Sequence, residues 1–259
     1  MNRFIAPVAL SFALTACGGG EEAPAPAAPA APAAAAPAPA PAGGYEEQDA
    51  VADAGNITGT ISYSGDKTDE VLAITQDTEV CAHDHPERPA GALLLNEGKL
   101  QNAVVYLEGV KAGKKWDSSS VAIDNVDCAF APRISLGRKG GDVVAKNSDP
   151  VTHNTNMTLT QGSKTIMNSS LKKDGEQSKK LKKSGLVEVR CDLHDWMKGA
   201  LFVADSPYAA VTGEDGAFSL SEVPAGDYTV KVWHEVLGEK EASVTVTAGA
   251  DATSEIVFE

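Results

Sequence analysis

The stretch Cys191-Asp-Leu-His194-Asp-Trp-Met197 puts a thiol, an imidazole and a thioether within seven residues. Sulfur donors are soft and imidazole is borderline, so their crowding suits a transition-metal ion better than a hard cation. The bland alternative is a Cys and a Met serving as core residues beside a satisfied His.

The elements around these residues help decide. Side chains on a strand alternate between faces with period two. In "LVEVRC", Val187, Val189 and Cys191 therefore share one face, and Glu188 and Arg190 share the other. Cys191 ends a strand on its buried side, and the six residues after it form a loop. In "HNTNMTL", His153, Thr155, Met157 and Leu159 share the apolar face, so His153 opens a strand on that side. A Cys and a distant His at core-facing strand ends can meet at one pole of a sandwich.

Helical periodicity is almost absent. Short runs rich in Val, Ile, Tyr and Phe recur at 57–63, 103–108, 142–146, 186–190, 200–204 and 227–233. Turn clusters such as "RKGGD", "GEDG" and "VPAGD" separate them. This spacing predicts an all-β protein of sandwich type.

The N-terminal region reads differently. Arg3 precedes an apolar run to Leu14, too short to span a bilayer as a stable anchor, which is the pattern of a secretory signal. Leu14-Thr15-Ala16-Cys17 resembles the lipobox of bacterial lipoproteins, which implies a signal peptide over 1–16 and a diacylglycerol on Cys17. Gly18 in place of Asp implies, by resemblance to Gram-negative sorting, an outer-membrane protein facing the periplasm. Residues 23–42 hold seven Pro and thirteen Ala. Pro removes amide donors and fixes φ, so this stretch is expected to be a disordered, semi-rigid tether, about 3.1 Å per residue and roughly 60 Å long. Tether and lipidated Cys together span 17–55, and ordered protein is expected from near Asn56.

Without Arg3, 21 Lys and Arg stand against 36 Asp and Glu, a net charge of −15. Such a chain is a poor nucleic-acid binder and could be steered toward a basic partner. "KKDGEQSKKLKK" (172–183) breaks the trend with six Lys. It reads as a solvated loop, with a docking patch as the alternative.

The segment 117–206 resembles a cupredoxin, the blue-copper Greek-key β-sandwich. The resemblance runs through "VAIDNVDCAFAPRISLGRKGGDVVAKNSDPVTHN" and "GLVEVRCDLHDWMKGALFV". Its Cys-x-x-His-x-x-Met loop is spaced like that of the amicyanin branch. The resemblance implies one type 1 copper, with His153, Cys191 and His194 in a trigonal plane and Met197 as a weak axial ligand. It also implies that Asn154 braces the ligand loops near the sulfur. His194 would present its ring edge to solvent as the route for electrons. Asp192-Leu193 and Asp195 stand where the family often has Thr-Pro and Pro. Two carboxylates beside the copper would lower its potential. Zinc and a catalytic Cys–His pair are weaker readings, because neither accounts for Met197.

Flanking stretches resemble a carboxypeptidase regulatory-like (transthyretin-like) β-sandwich: "GTISYSG" and "LQNAVVYLEGVKAG" before, "AAVTGEDGAFSLSEVPAGDYTVKVW" after. The resulting organisation is a first part over 56–116, the cupredoxin over 117–206 and a second part over 207–259. Insertion of one sandwich into the other and two consecutive domains both stay open.

Cys81 and Cys128 remain. In an oxidising compartment leftover thiols pair. A bridge spanning 47 residues is worth about 4 kcal/mol in the chain-entropy model. The competing reading is a second metal site at Cys81, His83 and His85. His234 reads as a hydrogen-bonded structural residue. Three functions follow: a lipid-anchored electron carrier between redox proteins, a copper capture and delivery protein, and an interaction module with a structural metal. No substrate-binding motif points to an enzyme.

Overall fold

The computed structural model describes residues 44–259. The signal sequence, Cys17 and the whole Ala/Pro-rich stretch 23–42 lie outside the described residues. What is described is nearly all β, with one helical turn at Thr78–Cys81.

Residues 120–204 form two facing sheets. One orders its strands as Ala129–Ala131, Ser120–Val126, Asp142–Asn147 and Gly175–Lys180. The other runs Ile134–Arg138, Lys198–Ala204, Gly185–Arg190, His153–Leu159 and Lys164–Leu171. Ile123, Val143 and Ala145 from the first meet Met157, Val187, Val189, Leu201 and Val203 from the second in one core. Alternation explains most of this: along Gly185–Arg190, Val187 and Val189 are buried while Glu188 and Arg190 are exposed.

The strand His153–Leu159 departs from simple alternation. Residues 153 to 157 are all buried, Asn154 and Asn156 included. The loop after Cys191 covers their face: Asn156 Nδ2 donates to both oxygens of Asp192, at 3.1 and 3.0 Å. The Lys-rich stretch also differs from the expected loop. Gly175–Lys180 is an edge strand paired antiparallel with Asp142–Asn147, its side chains exposed. Lysines on an open edge discourage pairing with another chain.

A second pair of sheets draws on both flanks. Val104–Leu107 lies between Ala209–Val211 and Gly226–His234, and Gly238–Val246 completes that sheet. Gly55–Tyr63 pairs antiparallel with Ala217–Val223 and parallel with Ala252–Phe258. At Gly59 a Cβ would stand 1.8 Å from the Ser254 carbonyl oxygen and 2.8 Å from the Phe218 ring, so the packing there admits only glycine.

Residues 74–81, which the sequence groups with the flanking sandwich, pack elsewhere. Ile74 and Cys81 join the core of the 120–204 unit, with Leu72, Val80 and Ala82 against it. The cause is covalent: Cys81 is bonded to Cys128, with 5.4 Å between their Cα atoms. The two sandwiches meet through Val104, Ile134 and Ala200, backed by Tyr106, Phe202 and Trp233. Beside that contact Arg133 grips Glu235 with two hydrogen bonds, 2.7 and 2.9 Å.

Candidate metal centre

His153 is the first residue of its strand, and Cys191 immediately follows the neighbouring strand, Gly185–Arg190. Those strands pair antiparallel with Asn156 opposite Arg190, which brings the two ends to the same pole. The loop from Cys191 closes on itself: Met197 N–H donates to the His194 carbonyl at 3.0 Å, and Cys191 N–H to the Met197 carbonyl at 3.1 Å. His194 is thereby folded back over the strand ends.

One donor atom each from His153, Cys191 and His194 lies within 4.8 Å of the others. The two Nδ1 atoms are 2.9 Å apart, and Cys191 Sγ is 3.5 Å from His194 Nδ1. An ion bound at about 2.0–2.3 Å from nitrogen and sulfur holds its donors roughly 3–3.5 Å apart, so these spacings suit one. Both imidazoles are wholly buried, Cys191 is 4 % exposed and Met197 1 %. Met197 shares the core cluster of Cys191.

The outer nitrogens decide which way the lone pairs point. His153 Nε2 is 2.8 Å from Asp149 Oδ2, and His194 Nε2 is 2.8 Å from Asp77 Oδ2. An ionised carboxylate only accepts hydrogen bonds, so a neutral ring in either position places its proton on Nε2. Each Nδ1 then offers a bare lone pair. Two such lone pairs facing each other beside a thiol are electrostatically unfavourable unless a cation or a proton lies between them. Burial, and then the His194 ring, push the pKa of His153 below its ordinary value, against the pull of Asp149. The ring thus stays neutral, as a ligand must. The donor set of two nitrogens and a thiol in dry surroundings fits a copper ion, with Met197 buried in the same core cluster.

Neither Asp149 nor Asp77 was singled out from the sequence. Asp149 is nearly buried and also accepts N–H bonds from Asp127 and Cys128, at 2.8 and 2.9 Å. Its position four residues before His153, in Asn147-Ser148-Asp149, was a readable signal. Asp77 sits in the segment 74–85 and has no local signal. Trp196 was also missed. Its ring lies 5.0 Å from that of His194, and its Nε1–H donates to the Cys128 carbonyl at 3.1 Å.

The remaining residues fall into place. Asn154 N–H points at Cys191 Sγ, 3.3 Å away. Its side chain donates to Asn168 Oδ1 at 2.7 Å and accepts from Asp192 N–H at 3.3 Å, tying the two ligand segments together. The Asp192 carboxylate turns to Asn156, Asn168 and Arg190, and Asp195 is exposed. The expected solvent-facing edge of His194 is not found. That edge is buried against Asp77, because the disulfide holds the 74–85 segment over it. The alternative metal site at Cys81, His83 and His85 is excluded, since its sulfur is consumed in the disulfide and His83 pairs with Asp127. Cys128, Asp149 and His153 also cluster, but with the sulfur bonded to Cys81 they offer no second thiolate. His234 is wholly buried, accepting from Val236 N–H at 3.3 Å.

Residues 182–254 match the family model described as polysaccharide lyase family 4, domain II. No curated protein matches the chain. Among solved structures, a purple cupredoxin from Nitrosopumilus maritimus is 23% identical, over 34% of this chain and 100% of its own, with a TM-score of 0.29. Amicyanin from Paracoccus versutus is 16% identical, over 34% of this chain and 83% of its own, with a TM-score of 0.30. The copper-containing nitrite reductase from Thermus scotoductus is 20% identical over 35% of this chain, with a TM-score of 0.30, and only 24% of its own length is covered. These are weak likenesses to cupredoxins.

Proposed function

We propose that the chain is a type 1 copper protein of the bacterial envelope, carrying single electrons between redox partner proteins. One observation carries this reading: His153 Nδ1, His194 Nδ1 and Cys191 Sγ converge in a buried cluster, each within 4.8 Å of the others. Copper held by these three and by Met197 would supply the one-electron chemistry, alternating between its cuprous and cupric states.

The protein's own part is to hold the donors still. Asp149 and Asp77 hold the outer nitrogens of the imidazoles, and Asn154 directs an N–H at the sulfur. A shell braced in this way moves little when the charge changes, which favours fast transfer. Donors at 4 % exposure or less leave no open ligand face, which supports electron carriage over copper delivery. The lipobox-like Leu14–Cys17 and the Ala/Pro tether support attachment to the outer membrane facing the periplasm. Such a tether raises the local concentration of partners without tight binding. The chain needs no catalytic step of its own.

The test is optical. Adding Cu(II) to the purified soluble part should produce an intense thiolate-to-copper charge-transfer band that bleaches with ascorbate. Cys191→Ser should lose the band while retaining the fold by circular dichroism. An unaltered chain that takes up Cu(II) without colour would overturn the proposal.

A further inference from the structure

The pole that holds the three donors is closed from outside by a segment with no place in the strand order of the 120–204 sheets. Residues 74–85 cross it as a strap. Ile74 N–H donates to the Pro86 carbonyl at 2.7 Å, and Cys81 N–H to the Asp77 carbonyl at 2.8 Å. Positive φ at Asp77, His83 and Asp84 bends the segment tightly, at residue types that tolerate the left-handed region better than most. Three side-chain links reach the body beneath, namely the Cys81–Cys128 disulfide, the Asp77–His194 hydrogen bond and the exposed His83–Asp127 pair, and Ile74 is buried in the core below.

The disulfide also orders the other side of the centre. Cys128 donates its N–H to Asp149, which holds His153, and its carbonyl accepts from the Nε1–H of Trp196, which lies beside His194. One covalent link therefore serves both carboxylates that hold the imidazoles. The attachments differ in permanence. The disulfide is covalent, whereas Asp77 is about half exposed and holds by a single hydrogen bond.

We propose that residues 74–85 form a gate over the metal centre, and that Asp77 is both its latch and the positioning residue for His194. The inference rests on the copper reading only for what the gate encloses. With the latch closed, a partner meets the exposed polar side chains of Thr75, Gln76, Thr78 and Glu79 instead of an imidazole edge. Release of the latch would bare His194 and, behind it, Cys191, while the disulfide keeps the strap attached for reclosure.

Cys191 is the free cysteine among the described residues and is buried, so its thiol reports opening directly. The experiment is the rate of iodoacetamide alkylation at Cys191, followed by mass spectrometry in the metal-free folded chain without reductant. Cys17 is mapped separately by peptide. Asp77→Ala should speed alkylation at least tenfold with its urea midpoint unchanged. Asp77→Asn, which keeps an acceptor oxygen, should fall between Asp77→Ala and the unaltered chain, and Glu79→Ala should match the unaltered chain. Equal rates for Asp77→Ala and the unaltered protein would overturn the gate. Acceleration that merely tracks a lowered urea midpoint would overturn it too, since global unfolding would then be the route. Because no copper is present, a chain that gave no blue colour would sink the proposed function and leave this comparison readable.

Discussion

The polar environment at the pole assigns different work to carboxylates that look alike in the sequence. Asp149 and Asp77 touch imidazoles, whereas Asp192 touches amides and an arginine and Asp195 faces solvent. Charge near a thiolate-bound copper still matters at a distance, because a negative charge favours the more positive oxidation state. Asp192→Asn together with Asp195→Asn should therefore raise the midpoint potential, as read by redox titration of the charge-transfer band. An unchanged potential would show that Arg190 and solvent already cancel both charges. The positions of the four candidate ligands were legible because strand alternation and loop spacing are local properties. His153, Cys191, His194 and Met197 each sit where a two-residue period or a short turn puts them. Asp77 was not legible, since 117 residues separate it from His194 and only the folded chain brings it there.

Among the elements, strands with regular alternation came through the sequence well, and segments held by covalent or polar links did not. Gly55–Tyr63, Asp142–Asn147 and Gly226–His234 lie within a residue or two of their sequence-based limits. The 74–85 strap was assigned to the wrong core because its own hydrophobicity is slight. Its packing follows from pairing Cys81 with Cys128, a pairing that sequence alone left open beside a metal site. The strand Gly226–His234 carries its own consequence. It ends on a buried His234 whose pKa falls to about 4, mainly through burial, with Arg133 adding to the fall and the Gln101 backbone opposing it. Between pH of about 6.5 and about 4 the unfolded chain takes up a proton there that the folded chain refuses. The stabilisation is complete above that window and declines as pH drops through it, by roughly 3 kcal/mol at most. Urea melts at pH 6.5 and 4.5 should show this loss, and His234→Gln should flatten it. An identical pH dependence in that variant would remove His234 from the account.

For the whole molecule, strand pairings tie the flanks together around the middle. Gly55–Tyr63 and Ala252–Phe258 run side by side, and the 120–204 sheets pair only among themselves. What couples the halves is the seam of Val104, Ile134 and Ala200 with the Arg133–Glu235 pair, whose side chains are 17% and 18% exposed. Removing one partner of so enclosed a pair leaves a charge without its counterion. Arg133→Met or Glu235→Gln alone should each cost roughly 1–3 kcal/mol. The double variant should cost less than the sum, with a coupling of about 1 kcal/mol or more in a denaturation cycle. Additive losses would mean that the halves adhere through their apolar contacts alone. The parallel pairing of Gly55–Tyr63 with Ala252–Phe258 bears finally on the order of assembly. Asn56 and Asp251, at the start of that pairing, are 195 positions apart, whereas the most distant strands of the inner sandwich lie within 120–204. Closing long loops slows folding, so the inner half can be complete while the outer half still awaits its closing strand. During that interval the edge of Gly55–Tyr63 that later meets Ala252–Phe258 is unpaired, which makes it the point where a chaperone's protection would matter most.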